Sequence, residues 1–134
     1  MIDVTAAIIE KDSRILIAQR AAGKHLEHKW EFPGGKIEPG ETPEVCLARE
    51  LKEEFGITAE IKEFVAESVF SYGEKTIRLL GYRAKYVHGE FSLAVHEAIA
   101  WVRPDELMEF DLAPADIPIA RALTTSLRKH PKTR

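Results

Sequence analysis

Glu50, Glu53 and Glu54 stand three and four residues apart in Ala48-Arg-Glu-Leu-Lys-Glu-Glu-Phe-Gly56. On a helix, residues at those spacings share one face. Three like charges packed that way cost about 0.2–0.5 kcal/mol per pair in an isolated helix. A solvated acidic face is the plain reading. The chemical reading is a site for a hard divalent cation, because Mg²⁺ and Mn²⁺ prefer carboxylate, carbonyl and water oxygens. Gly34-Gly35, a short way upstream, can offer bare backbone carbonyls to the same ion. Arg49, beside the cluster, can tie down Glu41 or one of the acidic residues and so fix their orientation.

The spacing extends well beyond the three acids. Gly35-x5-Glu41-x7-Arg49-Glu50-Leu51-x-Glu53-Glu54-x-Gly56-Ile57 resembles the Nudix box at every signature position. Nine positions are constrained within 23 residues, which makes chance a poor explanation. The rest of the chain resembles MutT-type Nudix proteins from end to end. The matching features are Gln19-Arg20-Ala21, Trp30-Glu31-Phe32-Pro33-Gly34-Gly35-Lys36, His96-Glu97, Trp101 and Leu112-Ala113-Pro114-Ala115-Asp116-Ile117-Pro118. Within that group the resemblance runs to the branch that acts on cytidine nucleotides, the CTP pyrophosphohydrolases.

The resemblance implies an α+β Nudix fold, a mixed β-sheet sandwiched between α-helices, with residues 1–134 as a single hydrolase domain. It implies a metal-dependent (d)NTP pyrophosphohydrolase that releases NMP and pyrophosphate, acts on a cytidine-type or a modified or oxidised nucleotide, and cleanses the nucleotide pool. Carried over position by position, Glu50, Glu53, Glu54 and the Gly35 carbonyl match the Mg²⁺ (or Mn²⁺) ligands, and Glu41 and Arg49 the supporting residues. The chemistry is consistent: such ions neutralise phosphate charge and lower the pKa of an attacking water. The general base is open between Glu53, Glu54 and Glu97, since a later loop acid serves in some members. Glu97 also reads as a surface acid at a strand start.

Four further residues are candidates for substrate contact. Arg20 would touch the triphosphate by resemblance; otherwise it is an exposed Arg. Phe32 can stack on a nucleobase or belong to the core. Lys75 can reach an anionic substrate. Asp116 matches a position where members that remove 8-oxo-dGTP carry Asn. If ionised it only accepts, which suits the cytosine amino group; if protonated it can also donate. Its rival role is to cap the C-terminal helix.

These residues need elements to hold them. Val4–Ile9 and Arg14–Gln19 read as two strands joined by a tight turn, and Arg20–Lys29 as a loop. Trp30–Phe32 is a short strand stopped by Pro33-Gly34-Gly35. Thr42–Phe55 is the clearest helix, with Thr42 as N-cap, Pro43 at the first position and Gly56 just past the end. Ala48, Leu51 and Phe55 are expected to face the core. Residues 61–70, 76–87 and 98–102 read as strands, and residues 104–107 open a short helix. Asp116–Arg128 reads as a C-terminal helix with Ile117, Ala120, Leu123 and Leu127 in period. The basic end, residues 128–134, reads as a solvated tail.

Composition closes off other classes. Of 134 residues, 45% are hydrophobic and 31% charged, and the formal net charge is −3. That is ordinary for a globular protein and wrong for a nucleic-acid clamp. No basic helix or aromatic RNA-binding motif is present, so no stable nucleic-acid partner is expected, only a small nucleotide. One cysteine, Cys46, forms no internal disulfide and reads as a small buried apolar residue. No signal-like start or membrane-length apolar run is visible, so the expectation is a cytoplasmic monomer without a membrane partner. Two rivals stay open. One is a Nudix hydrolase for another nucleoside diphosphate derivative, such as ADP-ribose or 8-oxo-dGTP. The other is a non-catalytic nucleotide-binding regulator, against which the complete carboxylate set argues.

Overall fold

Thr5, Ala6, Ala7, Ile8 and Ile9 are all buried, and a strand buried at consecutive positions has both faces covered. The computed structural model, which describes residues 1–129 with side chains to residue 125, gives the reason. Six strands are formed: β1 (Ile2–Lys11), β2 (Arg14–Arg20), β3 (Trp30–Glu31), β4 (Thr58–Tyr72), β5 (Lys75–His88) and β6 (His96–Val102). They run in the order β3-β2-β1-β5-β4, with β6 on β2. β1 and β5 are parallel, whereas the β1–β2, β2–β3, β2–β6 and β4–β5 pairs are antiparallel. Helix α1 (Pro43–Phe55) covers one face and α2 (Ile117–Lys129) the other. The mixed sheet between helices is the architecture expected.

Side-chain alternation divides the core. Ala6, Ile8, Ile15 and Ile17 point toward Leu107, Leu112, Ile119 and Ala120. Ala7, Ile9, Leu16 and Ala18 point toward Leu47, Leu51 and Phe55 of α1. Leu47, Leu51 and Phe55 follow an i, i+4, i+8 spacing along the inward stripe, and Cys46 is buried beside them. Ala48, expected inward, is exposed. The stripe turns toward Leu47, which leaves Ala48 on the solvent edge.

The ends of α1 follow their local chemistry. Thr42 is extended and its Oγ1 accepts from Val45 N–H at 3.1 Å, and Pro43 opens the helix. Gly56 closes it at φ 71°, a left-handed conformation that suits glycine. β4, β5 and β6 run longer than expected, because hairpin pairing continues to Tyr72–Lys75 and β6 follows β2 back to His96. Pro104–Glu109 and Pro114–Asp116 are 3-10 turns, and α2 starts at Ile117, after Asp116. Leu127's side chain and the basic end from residue 130 lie outside the described residues.

One backbone feature positions the site. β1 pairs with β2 only through Glu10–Ile15 and Lys11–Arg14. In the gap beyond, residues 33–37 lie along β1: Ala7 N–H donates to Pro33 O at 2.7 Å, Thr5 N–H to Gly35 O at 2.8 Å and Ile37 N–H to Asp3 O at 3.0 Å. A Cβ at Gly34 would overlap the Thr5 carbonyl, so this approach requires glycine. The strap delivers Gly34-Gly35 to the side of α1 that carries its acids.

Candidate active site

Arg49 organises the acidic face of α1. Its Nε and Nη2 donate to the two Glu41 carboxylate oxygens at 2.6 and 2.9 Å. Its Nη1 donates to Glu50 at 3.0 Å and to Glu53 at 3.1 Å, and Nη2 also reaches the Lys36 carbonyl at 3.3 Å. Two parallel bonds to one carboxylate are the strong form of this contact. They hold Glu41, which also accepts from Glu38 N–H, down at a pKa of about 2. The same carboxylates push the Arg49 guanidinium further toward the charged form. Glu50 presses against Gly35 so closely that a Cβ there would overlap its carboxyl group. The strap, Glu41 and about one turn of the helix, Arg49 to Glu53, are thus tied through one guanidinium.

Glu54 lies on the other flank, next to the core stripe and half-buried. Its pKa is raised to about 8, by burial first, then by the charge of and a hydrogen bond with Glu50, then by the charges of Glu31 and Glu53. All of these effects act toward the neutral acid.

Glu54 opens into a cavity of about 310 Å³. Its walls include Gly34 and Gly35 from the strap, Arg20 and Lys24, Phe32, and Asp116. Phe32 is 3% exposed, belongs to the core and also lines the cavity. Arg20 stands at the end of β2, its Nε donating to His25 O at 2.6 Å and its Nη1 3.3 Å from Glu31. Asp116 is buried, and its Oδ2 accepts from Phe32 N–H at 2.9 Å. It therefore buttresses β3 across the cavity floor instead of capping α2. Burial and the charge of Glu31 lift its pKa well above the usual carboxylate range. Asp116 is held toward the neutral acid, which accepts through one oxygen and can donate through the other.

Six of the candidates do not line the cavity: Glu41, Arg49, Glu50 and Glu53, which form the cluster around the guanidinium, and Lys75 and Glu97. Lys75 starts β5 opposite Tyr72, at the hairpin end, away from the cavity lining. Glu97 is the second residue of β6, and its carboxylate faces Ala22 N–H at 3.0 Å and His28 Nδ1 at 3.1 Å. The cavity also includes three ionisable residues that were not among the site candidates: Lys24, Glu31 and His96. His96 Nε2 is 2.8 Å from Glu31 Oε2, its ring stacks on Phe55 at 5.1 Å, and its Nδ1 is buried without a partner. An acid between two large aromatics in Trp30-Glu31-Phe32 was the available signal for Glu31.

A divalent cation suits the donor chemistry, an all-oxygen set short of positive charge at Glu54. The side chains are not drawn together in advance. Among the described residues, no three His, Cys, Asp or Glu side chains converge closely enough to hold a metal ion. Repulsion and the Arg49 contacts keep Glu50 and Glu53 turned toward the guanidinium. The Gly35 carbonyl accepts from Thr5 N–H at 2.8 Å and from Thr5 Oγ1 at 3.1 Å, and so faces β1. A cation there would compete with Thr5. Cys46 is buried, with Sγ 3.4 Å from Lys36 O.

Comparison with known proteins agrees with this geometry. The NUDIX domain model matches residues 1–123. The chain is 43% identical to the CTP pyrophosphohydrolase of Escherichia coli K12, covering 91% of this chain and 90% of that one. It is 34% identical to the 8-oxo-dGTP diphosphatase of the same organism, covering 87% and 90%. The solution structure of the E. coli ORF135 protein superposes with a TM-score of 0.86 at 41% identity, covering 100% of this chain and 95% of that one.

Proposed function

The chain belongs to the NUDIX domain family, and from that premise we propose that it hydrolyses a nucleoside triphosphate, a cytidine nucleotide foremost, to NMP and pyrophosphate. It is a Nudix hydrolase of nucleotide substrates. The observation that carries the finer reading is the cavity joining Glu54 and the Gly34-Gly35 strap to Arg20, Phe32 and Asp116. The cavity thus brings together an acid suited to a metal ion, a cation suited to phosphates and a wall suited to a nucleobase, the three kinds of group that a metal-bound nucleotide needs.

Mg²⁺ or Mn²⁺, held by Glu50, Glu53 and Glu54 with a backbone carbonyl at Gly35, would neutralise phosphate charge and supply an activated water. Arg49 and Glu41 keep the acidic side chains oriented before the ion arrives. Arg20 contributes positive charge to the phosphates. Phe32 gives the base an apolar wall, and Asp116 gives it a hydrogen-bonding partner. A single domain, working as a monomer on a small nucleotide in the cytoplasm, completes the proposal. No described helix is long and apolar enough to cross a membrane.

The test is a panel of all NTPs and dNTPs, 8-oxo-dGTP and ADP-ribose with Mg²⁺ or Mn²⁺, with products separated by chromatography. CTP or dCTP should be the best substrate and should yield NMP and pyrophosphate. NDP and orthophosphate as main products would overturn the reaction type. A second reading, 8-oxo-dGTP as substrate, is favoured by the neutral Asp116, which can meet both a donor and an acceptor on an oxidised guanine. Under that reading 8-oxo-dGTP outruns CTP in kcat/KM.

A further inference from the structure

The loop between β2 and β3, residues 21–29, carries Lys24 to the cavity wall beside Arg20. Such a loop is tightly curled: Leu26 and His28 both take left-handed φ, 58° and 66°, at a cost of about 1 kcal/mol or more each for residues that are not glycine. Its base is closed by His28 N–H to Arg20 O at 2.8 Å and Arg20 N–H to Lys29 O at 2.9 Å. Those bonds fix where the loop leaves the sheet. Arg20 Nε to His25 O at 2.6 Å, Gln19 Nε2 to His28 O at 3.1 Å and Lys29 Nζ to Asp111 at 2.7 Å hold it further, and one more anchor comes from β6. One Glu97 oxygen accepts from Ala22 N–H at the start of the loop, and the other faces His28 Nδ1 at its end.

Glu97 and His96 are neighbours on β6, where the register with β2 shifts between Gln19 and Arg20 and leaves Glu97 as the extra residue of a bulge. His96 lines the cavity and Glu97 does not, and both Glu97 oxygens are engaged by the loop. We infer that Glu97 is a positioning residue that clamps the two ends of the 21–29 loop to β6, so that Lys24 joins Arg20 as the cationic side of the phosphate subsite. The inference rests on the triphosphate reading above, and it removes Glu97 from the choice of general base.

The experiment compares Glu97→Gln and Glu97→Ala with the wild type. Steady-state kinetics use the best triphosphate of the panel, and amide hydrogen exchange is measured on the free protein. Glutamine keeps an acceptor for Ala22 N–H, and its amide donates to His28 Nδ1 once that ring carries its proton on Nε2, so Glu97→Gln should stay within about threefold of wild type in kcat and KM. Glu97→Ala should raise KM about tenfold, leave the pH profile of kcat unchanged, and speed exchange at Ala22 and His28. Lys24→Ala should raise KM similarly, and the double variant should cost less than the product of the two, because both act through one loop. A fall in kcat of about 10²–10⁴-fold in Glu97→Gln would identify a general base and overturn the inference. Unchanged exchange in Glu97→Ala would overturn it equally. A wild type that turns over no triphosphate would sink the functional reading alone, because the exchange result still decides the clamp.

Discussion

Glu54 and Asp116 are two carboxyl groups that line one cavity, and both are pushed toward the neutral form. The causes differ. Glu54 is half-buried among Glu50, Glu53 and Glu31, and a cation would reverse the balance. Glu54→Gln, or Glu53→Gln, should lower kcat by about 10²–10⁴-fold. Glu54→Gln should also leave the metal-free protein at least as stable, since one repelling charge is gone; full activity would remove the residue from the catalytic core. Asp116 is buried by the fold itself. It faces Glu31 of β3, Arg20 of β2 and Tyr72 of β4. Because its folded pKa is raised, the stability linked to it is fully present below the unfolded pKa and is lost as pH rises through the folded value. Asp116→Asn keeps the neutral shape and an acceptor for Phe32 N–H without that loss. Its melting temperature should match wild type near pH 4 and exceed it increasingly toward pH 8. A variant less stable by the same amount at every pH would mean that ionisation of Asp116 carries no penalty.

At the scale of elements, the site is a strap, a helix and a loop brought to one side of the sheet. The strap and helix are fitted to each other: Gly34 lies against Thr5 O and Gly35 against Glu50. Gly35→Ala must displace the Glu50 carboxyl group and with it one of the Arg49 contacts. It should lower activity strongly at a modest loss of melting temperature, whereas Thr42→Ala, which removes the α1 cap, should cost about 1 kcal/mol of stability and little activity. These contrasts explain what the sequence made legible. Thr42, Pro43 and Gly56 announce α1 because capping is decided within a few residues. Glu50, Glu53 and Glu54 follow because helical spacing alone puts them on one face. Ala48 was misread for a related reason: the period fixes a stripe, and only packing against β1 and β2 decides where the stripe points. Lys24, Glu31 and the direction of Glu97 depend on how β2 pairs with β3 and β6, a register that joins residues as far apart as Ile15 and Val102. No local pattern encodes that register, so a fixed-spacing box could reveal α1 without revealing what lies across the cavity from it.

For the whole molecule, the consequence is a coupling between metal and stability. A chain of net charge −3 concentrates carboxylates on one helix face and restrains them with a single guanidinium. Without an ion, Glu54 is driven toward its protonated form, and among the described residues no three acidic side chains converge closely enough to hold a metal ion. Binding Mg²⁺ or Mn²⁺ would draw Glu50, Glu53 and Glu54 together at the expense of that proton, and would do so only in the folded state, where the strap and α1 meet. A ligand that binds only the folded state stabilises it by about 2.7 kcal/mol at one hundred times its Kd. For a domain of this length that is a rise in melting temperature on the order of 10 °C. Thermal unfolding should therefore move upward as Mg²⁺ or Mn²⁺ is titrated at constant ionic strength and return on adding EDTA. In a Glu53→Gln/Glu54→Gln double variant the shift should shrink to the small value that K⁺ produces. An equal shift in wild type and the double variant would locate the ion elsewhere on the surface. No shift in either protein would mean that the free enzyme binds the metal only together with a nucleotide, and the same titration repeated with a nucleoside monophosphate present, without turnover, separates that case from a helix face that never binds metal.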